Sequence, residues 1–88
     1  MSDVYDDALE EWGLDLQVDK SIEELAELTR ELSRWHLGYS NKEDIREEIA
    51  DVEIMCEQLR REFDDGRIDH HKERKLDRLR KRIEVSDQ

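Results

Sequence analysis

No proline interrupts the 88-residue chain, and glycine stands only at Gly13, Gly38 and Gly66. Nothing else removes a backbone donor or breaks a helical turn, so long helices are free to form with the glycines as punctuation between them. No stretch alternates apolar and polar residues with period two, so strands are not expected. The pattern predicts an all-α fold, a helical bundle of about four helices in a single domain spanning 1–88. The first helix covers about 3–12, with Val4, Ala8 and Trp12 on one face, and ends before Gly13. The second covers about 19–37, capped by Asp19 or Ser21; Ser21-Ile22-Glu23-Glu24 has the Ser-x-x-Glu form of a capping box. The third covers about 41–64 and starts at Ser40 or Asn41, where Ser40-Asn41-Lys42-Glu43 repeats that form. Past Gly66 a fourth helix covers about 68–84, and the tail Val85 to Gln88 is expected to fray.

Charged residues make up 47% of the chain and hydrophobic ones 35%, a balance that suits slim amphipathic helices better than a large core. The net charge of −11 argues against general binding to nucleic acid or to an anionic membrane. Positive charge is nevertheless segregated, because the run from Lys72 to Arg82 is strongly basic while most of the acid lies upstream. Ten arginines against five lysines, with abundant aspartate, would also suit a high-salt cytoplasm. The acidic N-terminus does not read as a signal peptide, no apolar run reaches membrane-spanning length, and the single Cys56 fits a reducing cytoplasm. Cytoplasmic localisation is therefore expected.

Two acid pairs carry the chemistry. Glu24-Leu25-Ala26-Glu27 and Glu48-Ile49-Ala50-Asp51 each place two carboxylates at i and i+3, on one side of a helix. If the second and third helices pack antiparallel, four carboxylates converge. Two charges roughly 5 Å apart at an effective dielectric near 20 repel by about 3 kcal/mol, so a cation is expected among them. Oxygen donors without histidine or cysteine favour Mg²⁺ or Mn²⁺, and such a centre suits polyphosphate. A solvated acidic face is the plain alternative.

The helical wheel refines the set. Ile22, Leu25, Leu28, Thr29, Leu32 and Trp35 form the apolar stripe of the second helix, with Glu24 at its border and Glu27 and Glu31 along its flank. Ile45, Ile49, Val52, Cys56, Leu59 and Phe63 form the stripe of the third, with Glu48 at its border beside Met55 and Asp51 beyond. Glu23 and Glu47 point away. In the fourth helix Lys72 interrupts the stripe of Ile68, Leu76, Leu79 and Ile83, and Lys75, Arg78 and Arg82 line one flank. Lys72 and Lys75, helped by Arg78, would reach phosphates, unless Lys72 simply snorkels to water. Lys20, one turn before Glu24, either meets phosphate or pairs with Glu24. Trp35 is either a base-stacking aromatic or plain core. His36, His70 and His71 are expected at the surface, and Cys56 as a small core residue. Ala50 and Ile54 lie opposite the main stripe, among Glu47 and Gln58, which suggests cover by a second subunit.

Glu23-Glu24-Leu25-Ala26-Glu27-Leu28 followed by Glu47-Glu48-Ile49-Ala50-Asp51-Val52 resembles the E-x-x-E and E-x-x-D motifs of MazG-like all-α nucleoside triphosphate pyrophosphohydrolases. The segment Trp12 to Gln17 is similar to the start of short phage-type members, which place a glutamine before the first acidic motif, and Lys72 to Leu79 is similar to their basic last helix. The resemblance implies hydrolysis of (d)NTPs at the α–β bond, giving nucleoside monophosphate and pyrophosphate with Mg²⁺. It implies Glu24, Glu27, Glu48 and Asp51 as metal ligands, Gln17 near the substrate, and a homodimer or a dimer of dimers whose helices complete the bundle. Chemically, a triphosphate needs its charge neutralised and a water placed in line, and a carboxylate to take the proton. Glu24 and Glu27 are the candidate bases, with Glu27 preferred. Two alternatives stay open. One is a phosphoribosyl-ATP pyrophosphatase-like enzyme, although the tyrosine-histidine pair usual there is replaced by Glu53-Ile54-Met55-Cys56. The other is a non-catalytic helical dimerisation module with solvated acids.

Overall fold

A computed structural model describes residues 3–86, all but a few of them in three helices: α1 Val4–His36, α2 Lys42–Phe63 and α3 Arg67–Ser86. Asp3 caps α1 by accepting the Tyr5 amide at 2.8 Å, and Asp6 and Asp7 in the first turn complement its positive end. Past its end, the Tyr39 amide donates to the Arg34 carbonyl and the Gly38 amide to the Trp35 carbonyl. That pair of bonds is a Schellman closure, and it requires the positive φ of 80° that Gly38 supplies. Asn41 caps α2 by accepting the Asp44 amide at 2.8 Å. Ser40 does not cap; its hydroxyl donates to Glu31 at 2.6 Å. The Asp64 carboxylate accepts the amides of Gly66 and Ile68 and so starts α3. Val85 and Ser86 extend that helix, and the rest of the tail expected to fray, like Met1 and Ser2, lies outside the described residues.

The expected four helices are three, because the first two join. Only Gly13 leaves helical geometry within α1, at φ 78° and ψ 165°. Residues 14–18 are Leu-Asp-Leu-Gln-Val, all able to continue a helix, so the second arm begins immediately instead of at a cap. Ser21 is therefore interior, its hydroxyl donating to the Gln17 carbonyl at 2.8 Å. A straight continuation would carry Tyr5 about 12 Å beyond Gly13 along the axis. Instead the kink returns the first arm to α2. There Gln58 Nε2 donates to the Tyr5 carbonyl at 2.8 Å, and Arg61 pairs with Asp3 at 2.7 Å while lying over the Tyr5 ring. Gln58, expected on an uncovered face, is thus buried beneath this arm; Ile54 stays half exposed.

The second arm of α1 packs against α2 as an antiparallel hairpin, while α3 meets α2 only around their shared elbow, where Arg60 pairs with Asp69. The seam differs from the apolar stripes. Its buried residues are Gln17, Ser21 and Glu24 from α1 and Met55 and Gln58 from α2, and Met55 alone among them is apolar. At 100° per residue this seam is turned from the stripe centre by roughly 60° on α1 and roughly 110° on α2. Antiparallel packing makes the two rotations bring both stripes to one side of the hairpin, where Leu25, Leu32, Trp35 and Ile49 remain nearly half exposed. Cys56, expected in the core, is exposed there as well. The radius of gyration is 16.7 Å, against about 12 Å for a compact chain of this length. One copy of the chain does not close a globule.

Candidate metal centre

The rotated seam brings the acids together, with Glu24 buried in it and Asp51 exposed at its edge. Glu24 and Glu27 from α1 and Glu48 and Asp51 from α2 each offer a carboxylate oxygen, and all four oxygens lie within 4.8 Å of one another. The antiparallel register makes this possible, with the pair on the rising helix meeting the pair on the falling one. Glu24 is the deepest, its side chain only 8% exposed. Its Oε2 is buried without a hydrogen-bond partner, and so is Oε2 of Glu48. Buried, unpaired carboxylate oxygens are costly, and two of them on members of one acid group fit a cation with hard oxygen preference. The donor set holds no nitrogen or sulfur, which favours Mg²⁺ or Mn²⁺ over zinc.

The electrostatics agree. Burial first, and then the charges of Glu27, Asp51, Glu24 and Glu31, hold the Glu48 carboxyl above its ordinary range. Among the described residues, the one ion pair made by the four acids is Lys20 Nζ to Glu24 Oε1 at 3.0 Å. Its hydrogen bond to Glu24, with the Glu23 charge adding, raises the Lys20 ammonium in turn. Glu27 and Asp51 make no ion pair or side-chain hydrogen bond among the described residues.

Not every expected site residue is brought here. Lys20 is at the rim. Gln17 is buried two turns upstream of Glu24 on the same side of α1. Trp35 lies three turns beyond Glu24, about 16 Å along the axis, and is nearly half exposed, so it is not plain core in this chain. Lys72, Lys75 and Arg78 are exposed on α3, and none of them forms an ion pair with the four acids among the described residues. Lys72 instead lines a cavity of about 410 Å³ at the α2–α3 elbow with Cys56, Leu59, Arg60, Phe63 and Ile68. His36, His70 and His71 are exposed, as expected.

Sequence reasoning passed over Glu31 as a participant. Its side chain is 19% exposed, accepts from Ser40 and pairs with Arg34 at 3.5 Å, yet its charge still bears on Glu48. The signal was present in the spacing Glu24, Glu27, Glu31, which puts a third acid on the same flank. Buried Ser21 and Gln58 were also missed, because a polar residue beside an apolar stripe reads as surface.

No family model, no curated protein and no solved structure matches the chain. No helix among the described residues is long and apolar enough to cross a membrane.

Proposed function

We propose that the centre binds Mg²⁺, with Mn²⁺ as a substitute, and that the protein hydrolyses (d)NTPs at the α–β bond to nucleoside monophosphate and pyrophosphate. The observation that carries this is the convergence of four carboxylates within 4.8 Å with two buried, unpartnered oxygens among them. The likeness of the two acidic motifs to those of MazG-like pyrophosphohydrolases supports the same chemistry.

Glu24 and Glu48 present the unpartnered oxygens and would hold the ion, with Asp51 completing the set from the α2 side. When bound, the divalent cation supplies charge neutralisation for the phosphates and a more acidic water. Glu27 is the proton acceptor. It shares the cluster with Glu24 but has no Lys partner, so its carboxylate keeps a free lone pair for the attacking water. Gln17, two turns upstream of Glu24 in the seam, lies on the side where the nucleoside would extend.

The cationic side of the site comes from a second copy. The accessible surface of 7432 Å² exceeds the value of about 5,500 Å² for a folded monomer of this mass by about 1,900 Å². That excess is of the size one subunit buries in an obligate interface. It includes Leu25, Leu32, Trp35 and Ile49 on the hairpin and Leu76, Leu79 and Ile83 on α3. A homodimer, or a dimer of dimers, that seats α3 on a partner hairpin would bring Lys72, Lys75 and Arg78 toward phosphates bound at the partner's acids.

The test is a panel of (d)NTPs with and without Mg²⁺, resolved by chromatography. Monophosphate and pyrophosphate formed only with divalent cation are the expected products. Orthophosphate as first product would overturn the α–β assignment, and full turnover in excess chelator would overturn the metal mechanism.

A further inference from the structure

Resting on that metal-binding role, the contact between Lys20 and Glu24 at the rim gives the site a counter-charge of its own. Glu24 divides its two oxygens between two environments. Oε1 pairs with Lys20 Nζ at 3.0 Å, whereas Oε2 is buried and unpartnered. Lys20 is half exposed, reaches Glu24 from one turn upstream, and has a second carboxylate, Glu23, at 3.7 Å. Among the described residues no other cationic side chain pairs with any of the four acids.

We propose that Lys20 is the resident counter-cation of the acid cluster, which yields Glu24 to the divalent ion and then binds the phosphates of the substrate. The geometry sets the order. A cation entering among the acids meets Oε2 of Glu24 without disturbing Lys20. Once Glu24 shares its charge with that ion, its hold on Lys20 weakens, because the two cations now repel across one carboxylate. The ammonium sits on a flexible four-carbon stem at the rim of the site, with three rotatable donors. A polyphosphate docked on the metal presents several oxygens to that rim, and Lys20 transfers to them. Before metal arrives Lys20 holds Glu24 in its buried rotamer; afterwards it contributes to substrate affinity.

This role makes metal and substrate respond in opposite directions to loss of the ammonium, which a purely structural ion pair does not. Lys20→Met keeps the stem and removes the charge at a half-exposed position. Without nucleotide, Mn²⁺ titrated into the metal-free protein and followed by electron paramagnetic resonance should bind Lys20→Met tighter than the parent, by about threefold or more, since one repelling charge is gone. KM for the best (d)NTP should rise by about tenfold with kcat changed far less, the pattern of a lost phosphate contact. Lys20→Arg, which keeps the charge, should return both values toward the parent. Equal or weaker Mn²⁺ binding by Lys20→Met overturns the counter-cation role, and tighter Mn²⁺ binding with unchanged KM overturns the transfer to phosphate. A parent protein that takes up no Mn²⁺ overturns the metal centre itself, and is distinguished from either by that first titration.

Discussion

The hairpin and α3 are built from similar amphipathic sequence, yet they are stabilised in different ways. Residues 3–66 carry twenty-one acidic side chains against seven basic ones, and α3 carries eight basic against four acidic. The hairpin packs within one chain through a largely polar seam, leaving its apolar stripes on an outer side. Helix α3 has a stripe of Ile68, Leu76, Leu79 and Ile83 and buries no residue. Its start is fixed by Asp64 as cap and by Arg60, which pairs with Asp64 at 3.5 Å and Asp69 at 3.0 Å. The difference teaches that the chain devotes its intramolecular contacts to placing the acids. In the assembly proposed above, its hydrophobic surface is left for association, and charge of opposite sign on the two regions would favour α3 meeting another hairpin.

Breaking the polar seam at its acids should have the largest effect. Glu27→Gln and Asp51→Asn each remove a charge from the cluster, and (d)NTP turnover should fall by about 10²-fold or more in each. Thermal melting of the metal-free variants should show them no less stable than the parent, because like-charge repulsion is relieved. Glu23→Gln and Glu47→Gln, which point away from the seam, should keep most activity. Losses as large in these controls would show that the acids do not act through the arrangement described.

Much of this architecture could be read from residues alone. The helix ends at Gly38 and Gly66 and the start at Asn41 were legible because they rest on local chemistry, a positive φ or a capping side chain. The four acids were legible because i, i+3 spacing fixes a shared face. The junction at Gly13 was not, since a glycine can end a helix or merely bend it, and the outcome depends on Gln58 and Arg61 more than forty residues away. The true seam was hidden for a related reason. An apolar stripe tells which side of a helix is best buried, not which element buries it. Gln17, Ser21 and Glu24 occupy the intrachain contact while Leu25 and Leu32 face outward.

The comparison is sharpened at the level of assembly by placing a charge in each apolar stripe. Leu25→Asp on the hairpin and Leu79→Asp on α3 should both dissociate the oligomer, measured by light scattering with attached size exclusion. Helicity by circular dichroism should drop in both, because dissociation leaves α3 an isolated 20-residue helix, marginal in water, while the polar seam keeps the hairpin helical. A folded 10.7 kDa monomer at micromolar concentration for the parent chain would refute the assembly.

A smaller effect belongs to the kink. Gly13 adopts φ 78° and ψ 165°, a region essentially restricted to glycine, with open space around the position a Cβ would take. Gly13→Ala should therefore cost about 1–3 kcal/mol through backbone strain alone. The strain can be relieved by straightening α1, which pulls Tyr5 away from Gln58 and Arg61. Urea denaturation gives the size of the loss. Faster hydrogen exchange confined to the first arm, with the acid seam still protected, would show that the arm is an accessory to the hairpin.

The smallest effect separates the two regions by pH. Glu48 in the seam titrates above 4.5 because burial and its acidic neighbours disfavour its charged form, whereas Asp65 at the α3 elbow titrates below 3.8 because Arg67 favours its charged form. The two groups act on stability with opposite sign. For Glu48 the native state binds the proton more readily than the unfolded chain, so acidification through the window above 4.5 stabilises the metal-free protein. For Asp65 the unfolded chain binds the proton more readily, so its contribution is present above 3.8 and lost as pH falls through the lower folded value. Both side chains of the Asp65–Arg67 pair are more than half exposed, which keeps that contribution minor. The melting temperature of the metal-free protein should climb as pH falls toward 4.5 and turn downward below 3.8. Glu48→Gln should flatten the climb and leave the downturn, while Asp65→Asn should soften the downturn and leave the climb. Saturating Mg²⁺ should abolish the climb in the parent, because metal and proton compete for one carboxylate. A parent profile with no climb, or a climb that survives Glu48→Gln, would remove Glu48 from the strained seam.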